Sequence, residues 1–241
     1  MSTLHGKVAF ITGGTKGIGY GIAQALLKQG VHVAITSRSQ DAAQEAVRRL
    51  NEYGNDSAYV KGFEADVRDL ASQEHAVEKT VEAFGAIDIV IANAGLGHFD
   101  NVETLTPEQW KETIDTNLTG VFYTLKATLT FLKKSKGYYM TISSLAGTNF
   151  FAGGAAYNAS KFGVTGFTQA AMLDLRKYDI KTTTIMPGSV ATHFNGNEPD
   201  DSDAWKIQIE DIGQMVVQLL QLPARTLPSK VEVRPTRPPS S

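Results

Sequence analysis

Apolar runs of strand length alternate along the chain with amphipathic stretches of helix length. Val8–Thr12 (VAFIT) is a continuous run that ends in glycines. Val31–Ser37, Ala58–Glu64, Ile87–Ala92, Gly137–Ile142 and Lys181–Met186 repeat its character, and Val231–Val233 is a shorter last strand. Between them the apolar positions fall at helical spacing. Ile18–Lys28 gathers Ile22, Ala23, Leu26 and Leu27 on one side, and Ala42–Tyr53 gathers Ala46, Val47 and Leu50. Further helices are predicted over Ser72–Phe84 with Ser72 as its cap, from the first-turn proline Pro107 to Lys134, over Tyr157–Lys177 and over Asp211–Leu220. Near-continuous apolar strands alternating with helices predict an α/β, doubly wound parallel sheet of about seven strands, with helices on both faces. No linker or internal repeat appears, so residues 1–241 read as a single domain, and the proline-rich tail Arg234–Ser241 reads as extended or flexible.

Immediately after the first strand comes Thr12-Gly13-Gly14-Thr15-Lys16-Gly17-Ile18-Gly19, which opens a helix. In that setting the glycines have separate uses. Gly13 permits a tight turn, Gly17 lets backbone approach a pyrophosphate at the helix N-terminus, and Gly19 allows close helix–strand packing. The loop is therefore expected to hold a dinucleotide.

Composition narrows the field. The chain has 241 residues and a formal net charge of -2, with no basic stripe of the kind that binds nucleic acid. It contains no cysteine, which excludes disulfides, a thiolate nucleophile and cysteine metal sites. His98 and His193 lack the spacing of metal ligands, so no metal is expected. Neither a signal core nor a membrane-length apolar run is present, which predicts a soluble cytoplasmic protein without a membrane partner.

Eight tyrosines occur, and only Tyr157 has a lysine four residues on, Lys161. That spacing puts both on one helix face, where an ammonium is expected to favour the phenolate and lower its pKa. Ser144 stands thirteen residues earlier, and its hydroxyl can hold a carbonyl oxygen. The three together would pass a proton to or from an alcohol oxygen.

In order and spacing these motifs resemble the short-chain dehydrogenase/reductase family, over residues 5 to 222. The matching segments are the glycine loop, Asp66-Val67, Asn93-Ala94-Gly95, Asn117 before Leu118-Thr119-Gly120, Ser143-Ser144, Tyr157-x-x-x-Lys161 and Pro187-Gly188-Ser189-Val190-Ala191-Thr192. The resemblance implies a Rossmann fold and an NADP(H)- or NAD(H)-dependent oxidoreductase acting on CH–OH groups. It implies Asn117, Ser144, Tyr157 and Lys161 as catalytic residues. Tyr157 would be the general acid, Ser144 would hold the oxygen, Lys161 would also hold the nicotinamide ribose, and Asn117 would bend its helix and keep a water in the proton relay. Asp66 would reach the adenine and Thr192 the nicotinamide amide. The cofactor set is Gly13, Thr15, Lys16, Gly17, Ile18, Gly19, Ser37, Arg38, Asp66, Val67, Asn93, Ala94, Gly95, Tyr157, Lys161, Pro187, Gly188, Val190 and Thr192. Where an NAD enzyme carries an acid after strand two, this chain has Ser37 and Arg38, and Lys16 lies in the loop. Two cations near a 2′-phosphate predict NADP(H) over NAD(H).

Ser144, Leu145, Phe150, Tyr157 and His193 are the expected substrate-binding residues, with Leu96, His98, Phe151 and Phe194 as further pocket candidates. The segment Asn195–Lys206 is short and acidic. It would repel an acyl carrier protein, so a small hydrophobic ketone or aldehyde is favoured over a 3-oxoacyl thioester, with a 3-hydroxy acid dehydrogenase as an alternative. A non-catalytic NADPH sensor would need no Ser144–Tyr157–Lys161 set, an epimerase would need a larger C-terminal region, and a methyltransferase would explain neither the Tyr–Lys pair nor Arg38. The wide apolar surface of Ile114–Leu132 predicts a homo-oligomer, a dimer or tetramer.

Overall fold

The computed structural model describes residues 4–54 and 58–238. Its elements run β1 (Val8–Thr12), α1 (Gly17–Leu27), β2 (His32–Ser37), α2 (Gln40–Leu50), β3 (Val60–Glu64), α3 (Leu70–Phe84), β4 (Ile89–Ala92), α4 (Pro107–Ile114), α5 (Gly120–Ser135), β5 (Tyr138–Ile142), α6 (Ala155–Leu175), β6 (Lys181–Pro187), α7 (Ile209–Gln221) and β7 (Lys230–Val233). All strand pairings are parallel, in the order β3-β2-β1-β4-β5-β6-β7. This is the predicted Rossmann-like fold. The order reverses between β1 and β4, and such a switch point leaves a crevice at the strands' C-terminal ends.

One buried cluster lies on each face of the sheet. Phe10 and Val90 face one cluster while their strand neighbours Ile11 and Ile91 face the other, the alternation of a sheet covered on both sides. The helices α1 and α7 share a face and meet through glycines: a Cβ on Gly21 would lie 2.4 Å from the Ile209 carbonyl oxygen.

Three helical stretches differ from the sequence reading. Ser39 caps α2, accepting from the Ala42 N–H, so that helix begins at Gln40. Asp69, not Ser72, caps α3 by accepting from Ala71 N–H; Ser72 Oγ instead accepts the Asp66 N–H at 3.1 Å. The stretch expected as one helix from Pro107 to Lys134 is broken at Asp115–Thr119 by a turn of π-helix, in which Gly120 N–H reaches back to Asp115. Its start is as expected, with Pro107 in the first turn and a Thr106/Gln109 capping box. Val31, Ala58 and Ile87 fall outside the strands but remain buried.

Candidate active site

A cleft of ≈ 970 Å³ opens over the C-terminal ends of β1 and β4 to β6. It lies near the top of the roughly 300–1,000 Å³ range of small-molecule sites. Its wall at β1 is backbone. Gly13 and Gly17 have φ of +65 and +58, which glycine adopts without strain. A Cβ on Gly13 would lie 2.9 Å from Ala94 Cα, and one on Gly19 would lie 2.5 Å from both Asn93 Nδ2 and the Gly13 carbonyl oxygen. Asn93 ties this loop down: Nδ2 donates to the Thr12 and Gly13 carbonyls at 3.0 and 2.9 Å, while Thr12 Oγ1 accepts from the Asn93 and Ala94 N–H groups. No side chain caps the N-terminus of α1, so its first N–H groups remain for an anion. These features fit a dinucleotide pyrophosphate.

At the end of β2 the cleft is lined by Thr36, Ser37 and Arg38, with Lys16 and Thr15 on the loop opposite. The Thr36 hydroxyl is buried and makes no hydrogen bond among the described residues. Both Lys16 and Arg38 are exposed, and Arg38 lies close enough to Asp66 to help lower its pKa. Arg49, which sequence reasoning missed, braces the loop by donating to the Thr15 carbonyl at 3.0 Å while stacking on Tyr20. Asp66 and Val67 line the same end. Arg68 grips the Asp66 carboxylate at 2.6 to 3.0 Å and holds its pKa below the ordinary value.

Across the cleft, α6 carries Tyr157 and Lys161, and Ser144 follows β5. Lys161 is buried, 5 % exposed, and its Nζ donates to the Ile142 carbonyl at 2.9 Å. Nζ lies 5.6 Å from the centre of the Tyr157 ring. Burial drives the lysine down to about 8. Burial also raises the phenol above its ordinary value, and only the Ser144 hydroxyl opposes it. The expected lowering by Lys161 is thus reversed, because desolvation disfavours the charged form of both partners. Ser143 Oγ and Thr165 Oγ1 both donate to the Lys161 carbonyl, fixing α6 against β5.

Asn117 sits in the π-turn, buried, and its amide is fully engaged. Nδ2 donates to the Leu96 carbonyl and to Ser160 Oγ, and Oδ1 accepts the Leu96 N–H at 2.8 Å. It holds the loop after β4 instead of lining the cleft. At Gly95 the backbone passes close to both side chains, since a Cβ on it would lie 3.3 Å from Asn117 Oδ1 and 3.6 Å from Lys161 Nζ.

Pro187, Gly188, Val190 and Thr192 line the β6 side, with Thr192 Cγ2 3.4 Å from a Cβ built on Gly17. Beyond Tyr157 the lining turns aromatic. Phe99, absent from the sequence-derived set, meets Tyr157 edge-on at 5.2 Å, and Phe194 meets Tyr157 at 5.8 Å. Phe151 packs on Phe99 at 5.9 Å. Leu145 and His193 line this end, whereas Phe150 is 85 % exposed at its rim. His98 turns away to Glu112, at 3.0 Å. Trp205, Lys206, Arg234, Pro235 and Pro238 complete the lining. Tail residues 234–238 lack regular secondary structure, and 239–241 lie outside the described residues.

Comparison with known proteins agrees with this geometry. An uncharacterized oxidoreductase of Staphylococcus saprophyticus is 35% identical over 98% of the chain and 100% of its own length. A protein named as a putative ketoacyl reductase in Streptomyces coelicolor is 32% identical over 96% of the chain and 89% of its own length. An alcohol dehydrogenase from Thermococcus sibiricus, solved with 5-hydroxy-NADP, superposes with a TM-score of 0.88 at 32% identity, covering 98% of this chain and 99% of that one. The family model for short chain dehydrogenase matches residues 7–203, and the chain is an oxidoreductase of the short-chain dehydrogenase/reductase family.

Proposed function

We propose that this protein is an NADPH-dependent carbonyl reductase that also runs in the alcohol-oxidising direction. The observation that carries this reading is the meeting of Ser144, Tyr157 and Lys161 at one end of a cleft whose other end offers Lys16 and Arg38. The glycine loop, Lys16 and Arg38 would hold the dinucleotide, whose reduced nicotinamide would supply a hydride to a carbonyl carbon. Ser144 donates a hydrogen bond to the carbonyl oxygen as negative charge grows there. Tyr157, kept protonated by burial, delivers the proton to that oxygen. Lys161, which lines the cleft beside Tyr157, would hold the nicotinamide ribose hydroxyls, and Asn117 positions the loop next to it by holding Leu96.

Arg38 and Lys16 favour a 2′-phosphate, and the NADP-type ligand of the Thermococcus enzyme supports the same choice. The ketoacyl reductase name of the Streptomyces relative supports 3-oxo acid derivatives as a second reading. Phe122, Phe162 and Leu173 are exposed on α5 and α6, which supports self-association through those helices. Among the described residues, no helix is long and apolar enough to cross a membrane and no group of three or more His, Asp or Glu could hold a metal ion. The test is NADPH oxidation, followed by absorbance, against ketones, aldehydes and 3-oxo thioesters. Pure protein that binds NADPH and turns over none of them would contradict the reductase reading.

A further inference from the structure

The substrate end of the cleft has a second wall, unlike the aromatic one, made by the segment after β7. Its root is fixed. Val233 accepts the Gly188 N–H at 2.8 Å, and Pro235 Cδ lies 3.3 Å from a Cβ built on Gly188, with Leu145 Cδ1 at 3.0 Å from the same point. Gly188 follows Pro187, whose carbonyl accepts from Ser144 Oγ at 3.4 Å. Arg234 therefore stands on anchored backbone in the lining of the cleft that Ser144 also lines.

The charge of the cleft is one-sided. The cations that line it are Lys16, Arg38, Lys161, Lys206 and Arg234, and the single acid is Asp66, which Arg68 already grips. The whole chain is formally -2, so this positive lining is local. A cleft lined by one sign of charge concentrates ligands of the other sign. Lys16 and Arg38 lie at the dinucleotide's adenosine end, Lys161 is buried beside Tyr157, and Lys206 is neutralised by Asp203 at 2.5 Å. Arg234 also pairs with an acid, Glu232, but at 3.3 Å and through Nη2 alone, which leaves most of its donors free of that partner. A guanidinium matches a carboxylate bidentately.

We propose that Arg234 is a specificity-determining residue that receives the carboxylate of an oxo acid, with the carbonyl held at Ser144 and Tyr157. The proposal rests on the reductase reading and narrows it to anionic carbonyl substrates.

The test compares acetoacetate and levulinate with their methyl esters in wild type, Arg234→Gln and Arg234→Lys, with NADPH affinity measured alongside. The ratio of kcat/KM for acid over ester is expected to exceed one in the wild type for at least one pair. It should fall about tenfold in Arg234→Gln, mainly through KM, with partial recovery in Arg234→Lys. An unchanged ratio, or a wild type that favours both esters, overturns the proposal and leaves the reductase reading standing. Weaker NADPH binding in Arg234→Gln without a change in the ratio assigns the arginine to the cofactor and also overturns it. Failure to turn over any carbonyl compound overturns the reductase reading instead. Arg234 is then judged by acetoacetate quenching of Trp205 fluorescence in a Trp110→Phe background. Quenching lost in Arg234→Gln upholds anion binding, and quenching that survives, or none at all, overturns it.

Discussion

At the β1 end of the cleft the wall is backbone, and at the far end it is side chains from several loops. Gly13, Gly17 and Gly19 are fixed by contacts that leave no room for a Cβ or by φ values that resist one. Asn93 and Arg49 then lock the loop through main-chain carbonyls. Beyond Tyr157 the cleft depends on Phe99 after β4, Phe151 after β5, Phe194 after β6 and Arg234 after β7. A backbone site recognises what all dinucleotides share. A side-chain site can be revised one residue at a time without disturbing the first, which is how one scaffold serves different carbonyl compounds.

Short of removing the proton donor itself, the largest expected effect separates the two ends at the cofactor. Arg38→Asp removes a cation and adds an anion where a 2′-phosphate would sit, so the NADPH/NADH ratio of kcat/KM should fall about 100-fold. Equal kcat/KM for both cofactors in the wild type would sink the preference. At the far end, Phe99→Ala strips the ring that meets Tyr157 edge-on. KM for bulky apolar ketones should rise about tenfold while KM for NADPH holds, as steady-state kinetics will read. A parallel loss of NADPH affinity would mean that the ends are not independent.

The smallest effect concerns Lys161, which borders both. Its folded pKa of about 8 lies below the ordinary 10.5, so between those values the unfolded chain binds more protons. Stability must then rise with pH from about 8. Above pH 10 the raised phenol of Tyr157 works the other way, because the folded protein then keeps a proton that the unfolded chain loses. Thermal melts should therefore show wild type gaining on Lys161→Met between pH 8 and about 10. Parallel curves over that window would contradict the burial of a neutral lysine.

The same contrast sets what was legible in the sequence. Strand periodicity and the glycine loop are local, and both the parallel sheet and the position of Gly13–Gly19 follow from them. Ser144, Tyr157 and Lys161 were legible as a set because their neighbours in sequence are also elements of one βα unit. Phe99 carries no periodic signal, and its place over Tyr157 depends on where three loops end. Arg234 looked like part of a free tail, because the hydrogen bond between Val233 and Gly188 spans 45 residues of chain. The cap of α3 went to Asp69 because Ser72 had a longer-range duty at Asp66. The direction of the Tyr157 shift was misread for a similar reason. Spacing brings an ammonium near a phenol, but burial, which spacing does not report, acts on both and holds each toward its neutral form.

The central claim is that Tyr157 supplies the proton while the backbone end of the cleft holds the cofactor without it. Single-turnover NADPH oxidation and NADPH binding, measured together on wild type and Tyr157→Phe with one accepted ketone, test it most directly. The account predicts a rate lower by about a thousandfold or more with the NADPH Kd nearly unchanged. A Tyr157→Phe enzyme that oxidises NADPH within about tenfold of the wild-type rate would contradict it.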